Sequence, residues 1–377
     1  MRIEAVVTSE DWKTFIRLPE KIYKEFPNYV FPLEIALKDQ LDNTKNPFFE
    51  HAEMAAFLAY SDDKAVGRIL VVIDAAHCKL HQEKAAFWGY FESHNRQEVA
   101  HALLERGEQW ALARGMTVFR GPIQLSTNNE CGLLVEGFDD TPTPMMTYNP
   151  PYYENLILSS GFTKAKDLYA WEVHKEFRFS DRLTSHAKKT IKDEGIRFRA
   201  INMKNYEQEV DRLLEIYNDA WEQNWGFVPM TETEFRHTAK DLKLVLNPNL
   251  LFIAEVKGEP AAFSLALPDF NRALKGNTSG RPSLWGWLRL LWALKGPGKY
   301  TLGRCRIVTL GIKQKFRNLG LGPLLYASYH KIGPKLGYPI GECSWILEDN
   351  LAMNRALSDM GAKKTKVYRV FEKSLTC

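Results

Sequence analysis

The chain has 377 residues, 45% hydrophobic and 25% charged, with a formal net charge of +4. Such a length exceeds what one core usually organises, so two domains are expected, and the composition excludes wholesale disorder. The small, dispersed charge argues against nucleic acid and leaves anionic ligands or an anionic membrane surface as partners.

Helix-like residues 10–23 precede strands near 54–61 and 66–73. A strand at 84–92, a helix at 95–114 and strands at 116–120 and 167–174 follow. Helices at 205–223 and 232–246 open the second half, then strands at 250–257, 261–268 and 304–311. A helix at 321–335, a strand at 339–346, a helix at 351–360 and a strand at 365–372 complete it. This alternation predicts the α+β (mixed α/β) class. An internal repeat organises it: "FLAYSDDKAVGRILVVID" (57–74) superposes without a gap on "FIAEVKGEPAAFSLALPD" (252–269) at an offset of 195 residues. A second echo pairs "YENLILSSGFTKAKDLYAWE" from Tyr153 with "MNRALSDMGAKKTKVYRVFE" from Met353. Duplication of a whole domain follows, with the boundary near 172–180 and domains at 1–175 and 176–377.

Cys78, Cys131, Cys305, Cys343 and Cys377 form no CxxC pair and read as free thiols of a reducing compartment. The nine histidines show no HExxH or other close ligand spacing, so no metal is expected. The N-terminus lacks the apolar core of a signal peptide, and no run reaches the roughly 20 apolar residues of a membrane span. A cytoplasmic protein is expected, with peripheral membrane association left open.

The stretch "VTLGIKQKFRNLGLGPLLYASYHKIG", Val308 to Gly333, turns from an apolar strand into a helix through Arg317, Gly320 and Gly322. Glycines there let backbone amides converge, and the following helix start favours an anion such as phosphate. An ordinary tight connection with solvent-facing basic residues is the alternative. Neither a P-loop nor a Gly-x-Gly-x-x-Gly fingerprint is present.

Arg317, Gly320 and Gly322, together with Asn350 and Gly361 in "EDNLAMNRALSDMGA", resemble the GNAT acyltransferase superfamily over roughly residues 190–377. The repeat then makes the N-terminal half a second, degenerate copy. The resemblance implies two GNAT-like domains, each a twisted mixed sheet flanked by helices, and an acetyl-CoA or longer acyl-CoA donor. Its diphosphate would rest on Arg317, Asn318, Leu319, Gly320, Leu321 and Gly322, its pantetheine arm beside Thr309, Leu310 and Gly311, with Asn350 at the following helix. It also implies direct acyl transfer to an amine within a ternary complex. In the first half Glu92 and Glu98 stand where the glycine turn would be, so that domain is expected to be structural or substrate-binding.

Where the superfamily often carries a proton-donating tyrosine, this sequence has Leu357. Tyr326, Tyr329 and Tyr368 are the substitutes offered, and Glu342, Glu348, Asp349 and Glu255 are the candidate bases. Tyr326, Glu342 and Glu348 are taken as the catalytic set, and Cys343 as a buried strand cysteine. For the acceptor, Tyr217, Trp221, Asn224, Trp225 and Phe227 form an aromatic cluster that reads either as helix core or as a pocket entrance. "SLWGWLRLLWALKGPGKY", residues 283–300, leaves open a buried or homodimer-forming helix, an acyl-chain wall, or peripheral membrane contact through 283–295. The expected acceptor is a small-molecule or lipid amine. A non-catalytic acyl-CoA-binding or scaffold protein and aminoacyl-tRNA-dependent transfer are the competing functions.

Overall fold

The computed structural model describes residues 1–176, 194–221, 224–296 and 299–376. The chain forms two compact units. The first comprises Met1–Leu168, Leu274–Gly286 and Lys366–Cys377, and the second Tyr169–Ala273 and Trp287–Thr365. Residues 177–180 of the 172–180 boundary segment lie outside the described residues.

The first unit is a sheet in the order β1 (Arg2–Ala5), β2 (Ala52–Ser61), β3 (Lys64–Asp74), β4 (Ala85–Ser93) and β5 (Val118–Gly121). Beside β5 comes the end of the C-terminal strand, Lys363–Ser374, which also pairs with β6 (Leu133–Glu136). Neighbouring strands are antiparallel except β4 and β5, which are parallel. Helix Gln97–Leu112 buries Val99, Ala100, Leu103, Leu104, Gly107 and Ala111, a helical stripe that packs against β2 and β3. A Cβ on Gly107 would lie 2.8 Å from Phe119, so glycine is what lets this helix approach the sheet. Separate apolar clusters build up around Trp88, Phe119 and Phe371 and around Phe15, Leu58 and Leu70.

The second unit repeats the order. Counting β7 as Thr163–His174, it runs β8 (Ile196–Ala200), β9 (Leu251–Val256), β10 (Glu259–Pro268), β11 (Arg304–Ile312), β12 (Ile340–Leu347), β7, and the C-terminal strand is β13. The β8–β11 neighbours are antiparallel, while β11 and β12 are parallel. The predicted repeat reappears in the hairpins: β2–β3 turns through Asp62 and Asp63 (φ 48° and 59°), and β9–β10 through Lys257 and Gly258 (φ 52° and 87°). Both are two-residue turns with left-handed residues at both central positions, which suits the twist of a hairpin.

Helix Tyr206–Trp221 packs across β10 and β11. Helix Glu232–Val245 starts at a capping box in which Thr231 and Glu234 satisfy each other's backbone amides. The tryptophan stretch is helix Leu284–Lys295. It buries Leu290 and Ala293 but exposes Leu284, Trp285, Trp287, Leu288, Leu291 and Trp292, with Trp285 at 79%. No helix among the described residues is long and apolar enough to cross a membrane.

Candidate active site

The site grows from a mismatch in strand pairing. β11 runs beside β10 from Cys305 to Ile312, yet pairs with β12 only over Arg304–Ile307, opposite Ile340–Cys343. Beyond that point the two parallel strands part, and residues 308–312 present an edge with no strand opposite among the described residues. A register shift between Leu265 and Ala266 leaves Val308 as the extra residue of a bulge just past the last paired position. Bulges end pairing and re-aim a strand in this way.

At the open end, the six-residue 3₁₀ turn Gln314–Leu319 leads through Gly320 into helix Leu321–Ile332. Gly320 has φ 66°, a conformation costly for other residues, and a Cβ there would meet nothing within 4 Å. A Cβ on Gly322 would only touch Ile312, at 3.7 Å. The protein's own packing therefore does not demand glycine at 322, where the helix begins with the amides of Leu321 and Gly322. Those amides have no intrahelical acceptor and suit an anion.

The basic side chains of the turn are held by their surroundings. The buried Lys313 donates to Glu215 (2.5 Å), Lys315 pairs with Glu259 (2.5 Å), and exposed Arg317 donates to the Ala220 carbonyl (2.9 Å). Of the strand residues read as cofactor-binding, Thr309 and Leu310 are half-buried and Gly311 is buried. The Thr309 hydroxyl is enclosed without a hydrogen-bond partner among the described residues. A buried orphan hydroxyl beside an open strand edge fits the amide-rich arm of a coenzyme A thioester. Asn350 caps the next helix, its side chain accepting from Met353 N (3.2 Å).

The candidate catalytic residues divide between the two faces of β12. Glu342 is fully buried and accepts from Ser344 Oγ (2.7 Å), and Arg306 Nε donates to the same hydroxyl (2.9 Å). Alongside, Arg304 donates to Asp269 (2.8 Å) and Glu172 (2.9 Å). Burial pushes the Asp269 carboxyl up to about 6 despite Arg304, and its Oδ1 faces no partner among the described residues. On the other face, Tyr326 directs its hydroxyl to Met353 Sδ (3.3 Å) beside Cys343. Desolvation raises that phenol well above its ordinary value, so it stays protonated. Leu357 is fully buried in the core. Glu348 is half-buried just beyond β12, and Glu255 is engaged by Arg199 (2.7 Å). Burial raises the Cys343 thiol far above the range of a nucleophile.

Arg304, Arg306, Ser344 and Asp269 belong to no local sequence motif. The available signal was a pair of arginines at alternate positions in an otherwise apolar strand.

Of the predicted acceptor residues, Tyr217 stacks obliquely on Phe227 (5.5 Å) and Phe235 (5.6 Å), and Asn224 and Phe227 close one turn. Trp225 is half-buried next to them, while the Trp221 side chain lies outside the described residues. The same helix places Asp219 on Gln314 N (2.5 Å), which brings its C-terminal end to the mouth of the strand opening.

The first unit has the same strand divergence but fills it. β4 and β5 pair over Ala85–Phe87 and Val118–Arg120. Beyond them Ile123 N donates to Trp88 O (2.8 Å) and Tyr90 N donates to Gln124 Oε1 (2.6 Å). Glu92 is buried, accepting from Tyr153 (2.7 Å) and paired with Arg68, and its carboxyl is raised by desolvation. Exposed Glu98 sits in the first turn of the following helix, against Arg96.

A duplicated sheet with diverging parallel strands and a glycine-led helix at the opening is the fold of a tandem GNAT protein. Its architecture is similar to the tandem GNAT protein of the clavulanic acid biosynthesis pathway (TM-score 0.56, 10% identity, 100% of this chain and 99% of that one). It is also similar to a GCN5-related N-acetyltransferase from Anabaena variabilis (TM-score 0.52, 9% identity, 100% and 73%). No family model matches the sequence. The chain belongs to the family that includes the bacterial ceramide synthase of Caulobacter vibrioides, with 36% identity over 375 residues, 98% of this chain and 96% of that one. Protein YghO of Escherichia coli is 33% identical over 380 residues, 99% and 95% of the two chains.

Proposed function

We propose that the protein is an acyl-CoA-dependent N-acyltransferase that moves a long acyl group directly to the amine of a lipid-like acceptor in a ternary complex. The observation that carries this reading is the open β11 edge beneath the Gly320–Gly322 helix start, whose counterpart in the first unit is filled. The second unit is then the catalytic domain and the first a degenerate structural or substrate-binding one. The full-length relationship to a ceramide synthase supports a long-chain amino alcohol as acceptor, since a ceramide is the amide of one.

In this reading Glu342 takes the proton of the attacking amine through Ser344 Oγ, which already donates to it. The nitrogen forms its bond to the thioester carbon, the carbon–sulfur bond breaks, and Tyr326 protonates the departing thiolate in place of the residue at Leu357. Holding amine and thioester together supplies as much as roughly 7–11 kcal/mol in favourable cases, so acid assistance is a supplement.

A cytoplasmic location with peripheral membrane contact through 283–295 is part of the proposal. The exposed apolar face of helix Leu284–Lys295 lies in a segment with no acidic residue between Asp269 and Glu342 but with 13 lysines and arginines. The rest of the chain then carries 37 − 46 = −9, so the +4 total conceals a local excess suited to anionic headgroups. The test is mass-spectrometric detection of amide products from acyl-CoA donors of C2 to C18 and a panel of amines that includes long-chain amino alcohols. Long-chain N-acyl product, diminished by Tyr326→Phe and Glu342→Gln, is expected. Absence of amide from every pairing refutes the proposal.

A further inference from the structure

Beneath the point where β11 and β12 part, a cavity open to solvent at its mouth lies between the paired strands and helix Leu321–Ile332. Cys305 and Ile307 line it from β11, and Gly341 and Cys343 from β12. These alternate residues share one face of the sheet, the face opposite Arg306, Ser344 and Glu342. Tyr326 and Tyr329 cover it from the helix. The volume has a plain origin in sequence: Cys305, Gly341 and Cys343 are small, and the two tyrosines above are held off. Tyr329 donates to Leu250 O (3.0 Å) and Tyr326 reaches Met353, so neither ring drops into the gap. A Cβ on Gly341 would find only Val173 O, at 4.0 Å, and Gly341 is not among the glycines with positive φ. Neither backbone conformation nor close packing therefore requires glycine at that position.

Ile307 and Cys343 are both the last paired residues of the diverging strands and part of the cavity wall. A thioester whose arm follows the open edge of residues 308–312 would end there. An acetyl group would reach no further, whereas a longer chain would continue between the strands into the cavity. We infer that this cavity under Ile307, Gly341 and Cys343 is the acyl-chain site of the donor and selects its length. The inference rests on the proposed acyl-CoA reading and assigns the chain to the core of the second unit. It does not assign it to the tryptophan face of helix Leu284–Lys295.

The test uses calorimetric binding of coenzyme A and of non-hydrolysable thioether analogues with C2, C8 and C16 chains, below their micellar concentrations. Each methylene taken from water adds about three- to fourfold in affinity, so the C8 analogue should exceed the C2 analogue by at least a hundredfold. Gly341→Val, which fills the cavity with a strand-compatible side chain, should cut the C16-to-C2 affinity ratio at least tenfold, and Gly341→Ala should cut it less. The ratio is the readout because loss of fold lowers both affinities together. If Gly341→Val does not fold, the smaller Gly341→Ala change and the wild-type length series still decide the matter. A ratio insensitive to Gly341 while coenzyme A binds overturns the inference and leaves the acyl-CoA reading standing. Dependence on Trp287→Ser and Leu291→Ser instead also overturns it. Failure of coenzyme A itself to bind refutes the underlying reading.

Discussion

Replacing Gly322 by valine separates a binding role for the glycine turn from a structural one. The structure offers the new side chain room: its Cβ would touch Ile312 at 3.7 Å, and φ at 322 is not among the positive values. Helix propensity favours valine over glycine by a few tenths of a kcal/mol, so unfolding free energy should change by less than about 1 kcal/mol. Ligand binding should respond far more. A methyl group over the first-turn amides holds a diphosphate away from at least two charge-assisted hydrogen bonds, worth about 1.5–3 kcal/mol each. The helix-end attraction adds up to about 2 kcal/mol. Even the low end, about 3 kcal/mol, is roughly a hundredfold in affinity. Titration of coenzyme A into wild type and Gly322→Val, with denaturant unfolding of both, measures the two quantities separately. Affinity within threefold of wild type at preserved stability would refute the assignment of this turn to the diphosphate. Equal loss of stability and affinity would return Gly322 to the fold.

Cys343→Ala should lower turnover by less than about threefold, because a thiol whose ionisation burial opposes is no nucleophile; an acyl adduct on Cys343 in quenched, digested enzyme would overturn direct transfer. Asp269 titrates with its pKa raised to about 6, so the folded state binds the extra proton and the group's contribution to stability falls as pH rises from about 4 to 6. The unfolding free energy of wild type relative to Asp269→Asn should therefore fall across that window and hold level above it. A difference constant from pH 4 to 7 contradicts this environment for Asp269. Gln124→Ala removes the acceptor of Tyr90 N and should cost about 1–3 kcal/mol in stability while coenzyme A still binds with a stoichiometry of one per chain. A second equivalent in wild type or variant would show that the first unit also holds the ligand.

The parts of the fold that carry a strong local signal were legible in sequence. The β2–β3 and β9–β10 hairpins combine apolar runs with a polar two-residue turn, and both lie within a few residues of their expected bounds. Edge strands were not legible: Arg2–Ala5 and Ile196–Ala200 alternate charged and apolar residues over four or five positions and look like polar connections. Leu133–Glu136 sits in a glycine- and proline-rich segment and is a strand because the distant residues 367–369 pair with it. At the candidate site, the strand, glycine turn and helix could be read because their signal is local. The Arg306–Ser344–Glu342 linkage could not, since it depends on the register of two parallel strands separated by a helix. The cavity has the same cause: only that register stacks Cys305 beside Gly341 and Ile307 beside Cys343.

The repeat also supports the proposal that one copy carries the site. At an offset of 195 residues, Asp74 and Asp269 close equivalent strands. Asp74 accepts from Ala76 N, His77 N and His51, and so serves as the cap of a helix. Asp269 instead faces Arg304 in a buried charge network at the paired end of β11 and β12, where desolvation of the two charges offsets their attraction. The same contrast governs the strands themselves. In the first unit the diverging edge is closed by Ile123 and Gln124, so the groups exposed by divergence are satisfied from within. In the second unit the Thr309 hydroxyl is left enclosed and unsatisfied among the described residues. A buried polar group without a partner is retained where something else supplies one. Divergent strands are therefore common to the two copies, and in the proposed reading the difference between scaffold and enzyme lies in whether the chain fills the gap itself.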